Sequence, residues 1–184
     1  MIKPIFLYGS EVLRQVAKDA DLNDKEGLAA LIADLWDTLA VADGCGLAAP
    51  QIGVSLRVLV VDGDCLAEDM PYLKGFKRTM INPVVLEESD QKCEYSEGCL
   101  SVPGIYADVV RPKKIKVEYY NESFEKVVEE FDLFACRMVQ HEMSHLDGVL
   151  FTDIVAPIRK KMIKGKLAGI AKGKIRTHYK SIIK

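Results

Sequence analysis

The chain has 184 residues, a formal net charge of −2, 49% hydrophobic and 28% charged residues, the make-up of an ordinary globular protein long enough to bury a core. No run approaches the length of a membrane span, and the opening "MIKPIFLYGSEVLRQVAKDADLN" lacks the unbroken apolar stretch of a signal peptide. Five cysteines without a C-x-x-C pair argue against a disulfide framework, so the expected setting is a reducing cytoplasm.

Along the chain there are no repeats, no low-complexity linker and no break, which predicts one domain over residues 1–184. "DKEGLAALIADLWDTLAVADG" places Leu28, Leu31, Ile32, Leu35, Leu39 and Ala42 on one helical stripe that stops at Gly44. "RVLVVD" suits a buried strand, and "TMINPVVLEES" reads as another, entered through Pro83. "KKIKVEYYNESFEKVVEEF" predicts a hairpin turning at Asn121–Ser123. "LFACRMVQHEMSHL" returns to helical spacing with Leu133, Phe134, Met138 and Leu146 as its apolar members. A final helix is predicted from Pro157, with Ile158, Met162, Leu167 and Ile170 as its stripe. In it Gly165, Gly169 and Gly173 recur every fourth residue, weakening the helix but permitting close approach of another surface. Strands followed by helices predict an α+β fold in which antiparallel sheets pack around the central helix. "DCLAEDMPYLKGFK" (64–77) fits either a loop beside a groove or a plain connector.

Three stretches carry chemistry. "VQHEMSHLDG" holds two of the three histidines, and on a helix His141 and His145 share a face, so both rings reach one metal ion with Glu142 beside it. Catalytic sites of this kind need a third protein ligand and keep a position for water. The protease pattern with a third histidine would need one at 151, where this chain has Phe151, and the pattern with a later glutamate fails because no Glu follows Glu142 in the sequence. That weakens an ordinary metallopeptidase and leaves Asp147, Asp153, His178 or an upstream residue. "EYSEGCLSVPG" offers Cys99, a soft ligand for zinc or iron(II), with Cys45 as its competitor. "GCGLAAPQIG" has small residues that let backbone lie close to another group, and Gln51 supplies an amide donor.

Together these stretches resemble the peptide deformylase family. Gly44–Gln51 stands as G-x-G-L-A-A-x-Q, Glu97–Ser101 as E-G-C-L-S and Gln140–His145 as Q-H-E-x-x-H, in the family's order. The resemblance implies a hydrolase that removes the formyl group from the initiating methionine of nascent polypeptides. Carried over by residue, it makes Cys99, His141 and His145 the ligands of one divalent metal, with iron(II) expected and zinc, nickel or cobalt as substitutes. Glu142 becomes the acid–base, and Gln51 with the Leu100 N–H binds the formyl oxygen. Gly46 and Met138 border the substrate. A ribosome-associated protein with a dead site is the remaining rival, and the intact Glu142 and Gln51 argue against it.

Two features stand apart. The family reads H-E-x-D-H where this chain has Ser144; an aspartate there would pair with a cation, for which Arg111 is the candidate, and serine offers at most a weaker hydrogen bond. From Ile154 onward there are ten Lys or Arg and no Asp or Glu, which leaves fifteen basic against 27 acidic residues elsewhere. Such a basic segment, residues 157–184, predicts an anionic partner, and a deformylase would dock by it on the ribosome. No membrane contact is expected, and the chain is read as a monomer.

Overall fold

The computed structural model describes residues 1–184. Helix α1, Lys25–Ala42, begins where Asp24 accepts from the Gly27 N–H and ends at Asp43 in the left-handed region, a common way to stop a helix. All six predicted stripe positions are buried. The chain then enters β2 (Gly46–Ala48), which pairs antiparallel with β3 (Val58–Asp62). Strands β4 (Lys77–Glu88), β7 (Ile115–Tyr120) and β8 (Lys126–Phe131) complete a five-stranded sheet in the order β2-β3-β4-β7-β8. The predicted hairpin is β7–β8, its turn closed by Asn121, whose side chain accepts from the Ser123 and Glu125 N–H groups.

A second sheet is the antiparallel ribbon of β5 (Lys92–Cys99) and β6 (Val102–Pro112). It alternates buried and exposed residues along β6, as a half-covered strand must. Helix α2, Leu133–Leu146, lies between this ribbon and the five-stranded sheet, and ten of its residues are buried on nearly every side. The fold is therefore α+β, with antiparallel sheets around the histidine helix, as the sequence predicted. Residue Leu133 departs from its predicted place: it is exposed and starts the helix with φ of 50°.

Helix α3, Pro157–Ala171, begins at the expected proline but is turned differently. It buries Ile163, Leu167 and Ile170, whereas Ile158 and Met162 stand 73% and 67% exposed. At 100° per residue Ile158 and Met162 lie on one face of the helix and Ile163, Leu167 and Ile170 on a second, about 130° round from it. Packing against β6, where Arg159 Nη2 donates to the Tyr106 carbonyl at 2.7 Å, selects the second. Outside the helix's own backbone, nothing in this chain lies within 4 Å of a Cβ built on Gly165 or Gly169, so both face open space. Beyond α3 the chain is not helical. It folds back, and β9 (Ser181–Ile182) pairs with β1 (Ile5–Phe6) in a parallel ribbon, the one parallel pair among the strands, beside an isolated parallel bridge of Lys18 with Leu56.

Candidate active site

Residues from β2, β5 and α2 converge on one cavity of about 540 Å³, lined among others by Cys45, Gly46, Gln51, Glu97, Cys99, Leu100, Met138, His141, Glu142 and Tyr179. Helical spacing puts His141 and His145 one turn apart, their rings 5.2 Å between centroids. Cys99 ends β5 opposite them, with Sγ 3.3 Å from His145 Nε2. One ligand atom from each of Cys99, His141 and His145 lies within 4.8 Å of the others. Of the alternatives left open by the sequence, Asp147 is exposed at the end of α2 and pairs with Arg57, Asp153 pairs with Arg14, and His178 is exposed. Cys45 is not in the cluster.

The donors fit a metal ion by two observations. The set is one thiol and two imidazoles, the soft and borderline chemistry that suits first-row transition metals. His141 is also held as a ligand usually is: its Nδ1 donates to Glu97 Oε1 at 2.6 Å, which leaves Nε2 to face Cys99. Burial lowers the His141 pKa, but the hydrogen bonds to Cys99 and Glu97 outweigh it and raise it to about 10; a metal ion competes with that proton for the ring. For His145, burial and the neighbouring His141 charge hold the pKa well below its ordinary value.

Glu97 is the residue the sequence reading undervalued. It was visible in E-G-C-L-S, yet its task depends on partners 14 and 40 positions away. Arg111 donates to it from Nε at 2.7 Å and Nη2 at 2.9 Å, and Arg137 Nη1 at 2.8 Å. Burial works against its charge, but His141 and Arg111 prevail, so the carboxyl stays ionised far below its usual range. Arg111 Nη1 also reaches Ser144 Oγ at 3.0 Å, while that hydroxyl donates to the Gln140 carbonyl at 2.9 Å. Arg111 is thus the cation over Ser144, and a hydrogen bond to an uncharged acceptor stands where an acidic residue would give an ion pair.

Glu142 is buried, its Oε2 has no partner, and burial raises its pKa to about 7. Gly46 explains the room beside it: a Cβ there would lie 2.5 Å from Glu142 Oε1, so no larger residue leaves the carboxylate in place. Gln51 is 1% exposed and its orientation is set by Oε1, which accepts from the Ala48 N–H at 2.8 Å. Its Nε2 donates to Ser101 Oγ at 3.1 Å and points its other hydrogen toward Cys99 Sγ at 3.6 Å. That second contact is long, and its hydrogen is the one available to another acceptor. Met138 is buried in the cavity wall.

The tail supplies a wall that no motif announced. Tyr179 donates from its hydroxyl to the Leu100 carbonyl at 2.6 Å, and Arg176, Thr177 and His178 line the cavity beside it. Segment 64–77 forms short 3-10 turns at Asp64–Leu66 and Pro71–Leu73. Leu66 lines the cavity, which makes the segment part of the wall rather than a plain connector.

A fold of this kind around a Cys–His–His cluster and a buried glutamate defines a metallohydrolase of the α+β class. The profile of the polypeptide deformylase family matches residues 2–161. A peptide deformylase of Christiangramia forsetii is 42% identical over 98% of this chain and 95% of its own length, and one of Pseudothermotoga lettingae is 43% identical over 97% and 98%. The crystal structure of a peptide deformylase from Legionella pneumophila superposes with a TM-score of 0.82 at 35% identity, covering 96% of this chain and 99% of its own. The chain belongs to the polypeptide deformylase family.

Proposed function

We propose that this protein, a metal-dependent hydrolase by family, removes the N-formyl group from the N-terminal methionine of newly made polypeptides with Cys99, His141 and His145 as its metal ligands. The observation that carries this assignment is the convergence of those three donors beside the unpartnered carboxylate oxygen of Glu142. A divalent cation held there supplies Lewis acidity and makes a water molecule acidic enough to ionise near neutral pH. Iron(II) is the ion we assign, with zinc, nickel and cobalt compatible with the same donors.

The chain's own residues do the rest. Glu142 Oε2, in a cavity and without a partner, takes the proton from the attacking water and gives it to the departing α-amino nitrogen. Gln51 Nε2 and the Leu100 N–H hold the formyl oxygen as charge grows on it; losing one such donor typically costs about 3–4 kcal/mol in the barrier. Gly46 brings the β2 backbone up to the substrate, and Met138 contributes to the apolar pocket that takes the methionine side chain. Every one of these groups comes from one chain, which supports action as a monomer. No helix is long and apolar enough to cross a membrane, in keeping with cytoplasmic work on nascent chains.

Residues 157–184 are assigned to ribosome docking. The exposed Lys160, Lys161, Lys164 and Lys166 of α3, with Ile158 and Met162 between them, support this through electrostatic attraction to phosphate. Co-sedimentation with ribosomes that weakens as salt rises is expected, and salt-independent binding would contradict it.

The reaction itself is tested with protein prepared without oxygen, loaded with iron(II) or nickel, and offered formyl-Met-Ala or acetyl-Met-Ala. Formate release from the first, sparing of the second, and a loss of about 10²–10⁴-fold in Glu142→Ala are expected. No formate from folded, loaded protein would overturn the assignment.

A further inference from the structure

One pair of groups next to the cavity is used by none of these roles. Cys45 and Cys65 lie with their sulfurs 2.7 Å apart, both as free thiols. The other two cysteines outside the metal cluster have polar side-chain neighbours instead: Arg137 Nη2 reaches Cys93 Sγ at 3.4 Å and Gln140 Nε2 reaches Cys136 Sγ at 3.0 Å. The Cys45–Cys65 approach is held by backbone on both sides. The Cys45 carbonyl accepts from the Asp62 N–H at 2.8 Å at the end of the β2–β3 ladder. Cys65 sits in the turn Asp64–Leu66, which is tied down by the Gly63 N–H to the Phe76 carbonyl at 2.7 Å and by the Gly75 N–H to Asp64 Oδ1 at 2.6 Å. A disulfide bond is about 2.05 Å long, so bonding needs only a small closure along a line the fold already sets.

We propose that Cys45 and Cys65 form a reversible disulfide, a redox modification site in the wall of the substrate cavity. The two thiols differ in access: Cys65 is exposed and Cys45 is half-buried against the cavity. With a hydroperoxide as oxidant, the Cys65 sulfur attacks the peroxide O–O bond, becoming a sulfenic acid as the leaving oxygen is protonated to water or an alcohol. The Cys45 sulfur then displaces the hydroxyl from Cys65, forming the S–S bond and losing its proton to the departing hydroxide as water. Two thiols lose two electrons in total, and the peroxide gains them.

The bond would change the wall, not the reacting groups. Leu66, the residue after Cys65, lines the cavity together with Cys45. Linking the two sulfurs fixes segment 64–77 to the strand that carries Gly46. A change in how substrate is received follows, so KM rather than kcat is the constant expected to move.

The test uses the full chain loaded with zinc, treated with a small excess of hydrogen peroxide and then alkylated with iodoacetamide. We expect an intact mass lower by about 2 Da before alkylation, a Cys45–Cys65 linked peptide pair in a non-reducing digest after it, and reversal by dithiothreitol. In Cys65→Ser the linked pair is absent and Cys45 is alkylated. The melting temperature rises on oxidation in the wild type but not in Cys65→Ser, and KM for a formyl-Met peptide shifts by about twofold or more only in the wild type. Full alkylation of both residues after peroxide, or cross-links from them to Cys93, Cys99 or Cys136, would overturn the pairing whatever the enzyme's activity. Linkage that abolishes kcat with KM unchanged would overturn the location of its effect.

Discussion

The seam between β5 and α2 and the run from Pro157 to Lys184 wall the same cavity, but they are held by opposite means. At the seam, four charged side chains bury themselves together: Glu97 joins Arg111, Arg137 and His141 with contacts of 2.6–2.9 Å, and none of them meets solvent freely. The C-terminal run instead rests on three buried apolar residues, a two-residue parallel strand pairing and hydrogen bonds to uncharged partners, among them Tyr179–Leu100 and Arg159–Tyr106. Its charges are ten cations with no anion among them. The seam trades burial cost for a defined ligand geometry, whereas the run positions a wall cheaply and keeps its charge facing outward.

If that contrast is right, the largest effect comes from unbalancing the seam. Glu97→Gln removes the only carboxylate in contact with two buried arginines and His141, and leaving such charges unpaired costs about 3–5 kcal/mol. Denaturant unfolding should show that loss, and metal affinity should fall by about 10–100-fold because His141 loses its orienting partner. Stability and affinity within error of the wild type would mean that the arginines find other partners.

On the other side, Tyr179→Phe removes one hydroxyl and leaves the ring. About 1 kcal/mol of stability should go with the hydrogen bond, and because Leu100 is then less well fixed, formate release should slow by about 3- to 10-fold. Unchanged kinetics with lowered stability would confine the tail to a packing role.

The smallest effect sharpens the seam instead of breaking it. Ser144→Asp adds a second carboxylate to Arg111, converting the 3.0 Å hydrogen bond to a hydroxyl into an ion pair. A gain of about 1 kcal/mol, read as a rise of a few degrees in melting temperature, is expected without change in the reaction. An equal or lower melting temperature would show that Glu97 already saturates the guanidinium.

The same contrast governs what could be read from the sequence. Stripe residues Leu28 to Ala42, the turn at Asn121–Ser123 and the i, i+4 histidines were legible because local periodicity determines them. Cys99 needed motif order, since the local chemistry, with Gly98 beside it, made it only the favourite over Cys45. The buried face of α3 was not legible in the expected stripe, which joined two faces: at 100° per residue Ile158 lies opposite Leu167, and Ile163 completes the buried face instead. Nor was the return of residues 172–184 to β1, because a parallel pairing of two residues leaves no alternation to detect. Glu97 was visible as a letter in a motif, but its three buried partners are brought together by the fold alone.

The most direct measurement is the metal content of wild type, Glu142→Ala and Cys99→Ala after identical anaerobic loading and desalting. The account predicts about one equivalent per chain in the first two and a large loss in the third, because Glu142 moves protons and Cys99 holds the ion. Metal kept in full by Cys99→Ala, or lost from Glu142→Ala while the protein stays folded, would contradict that division of roles.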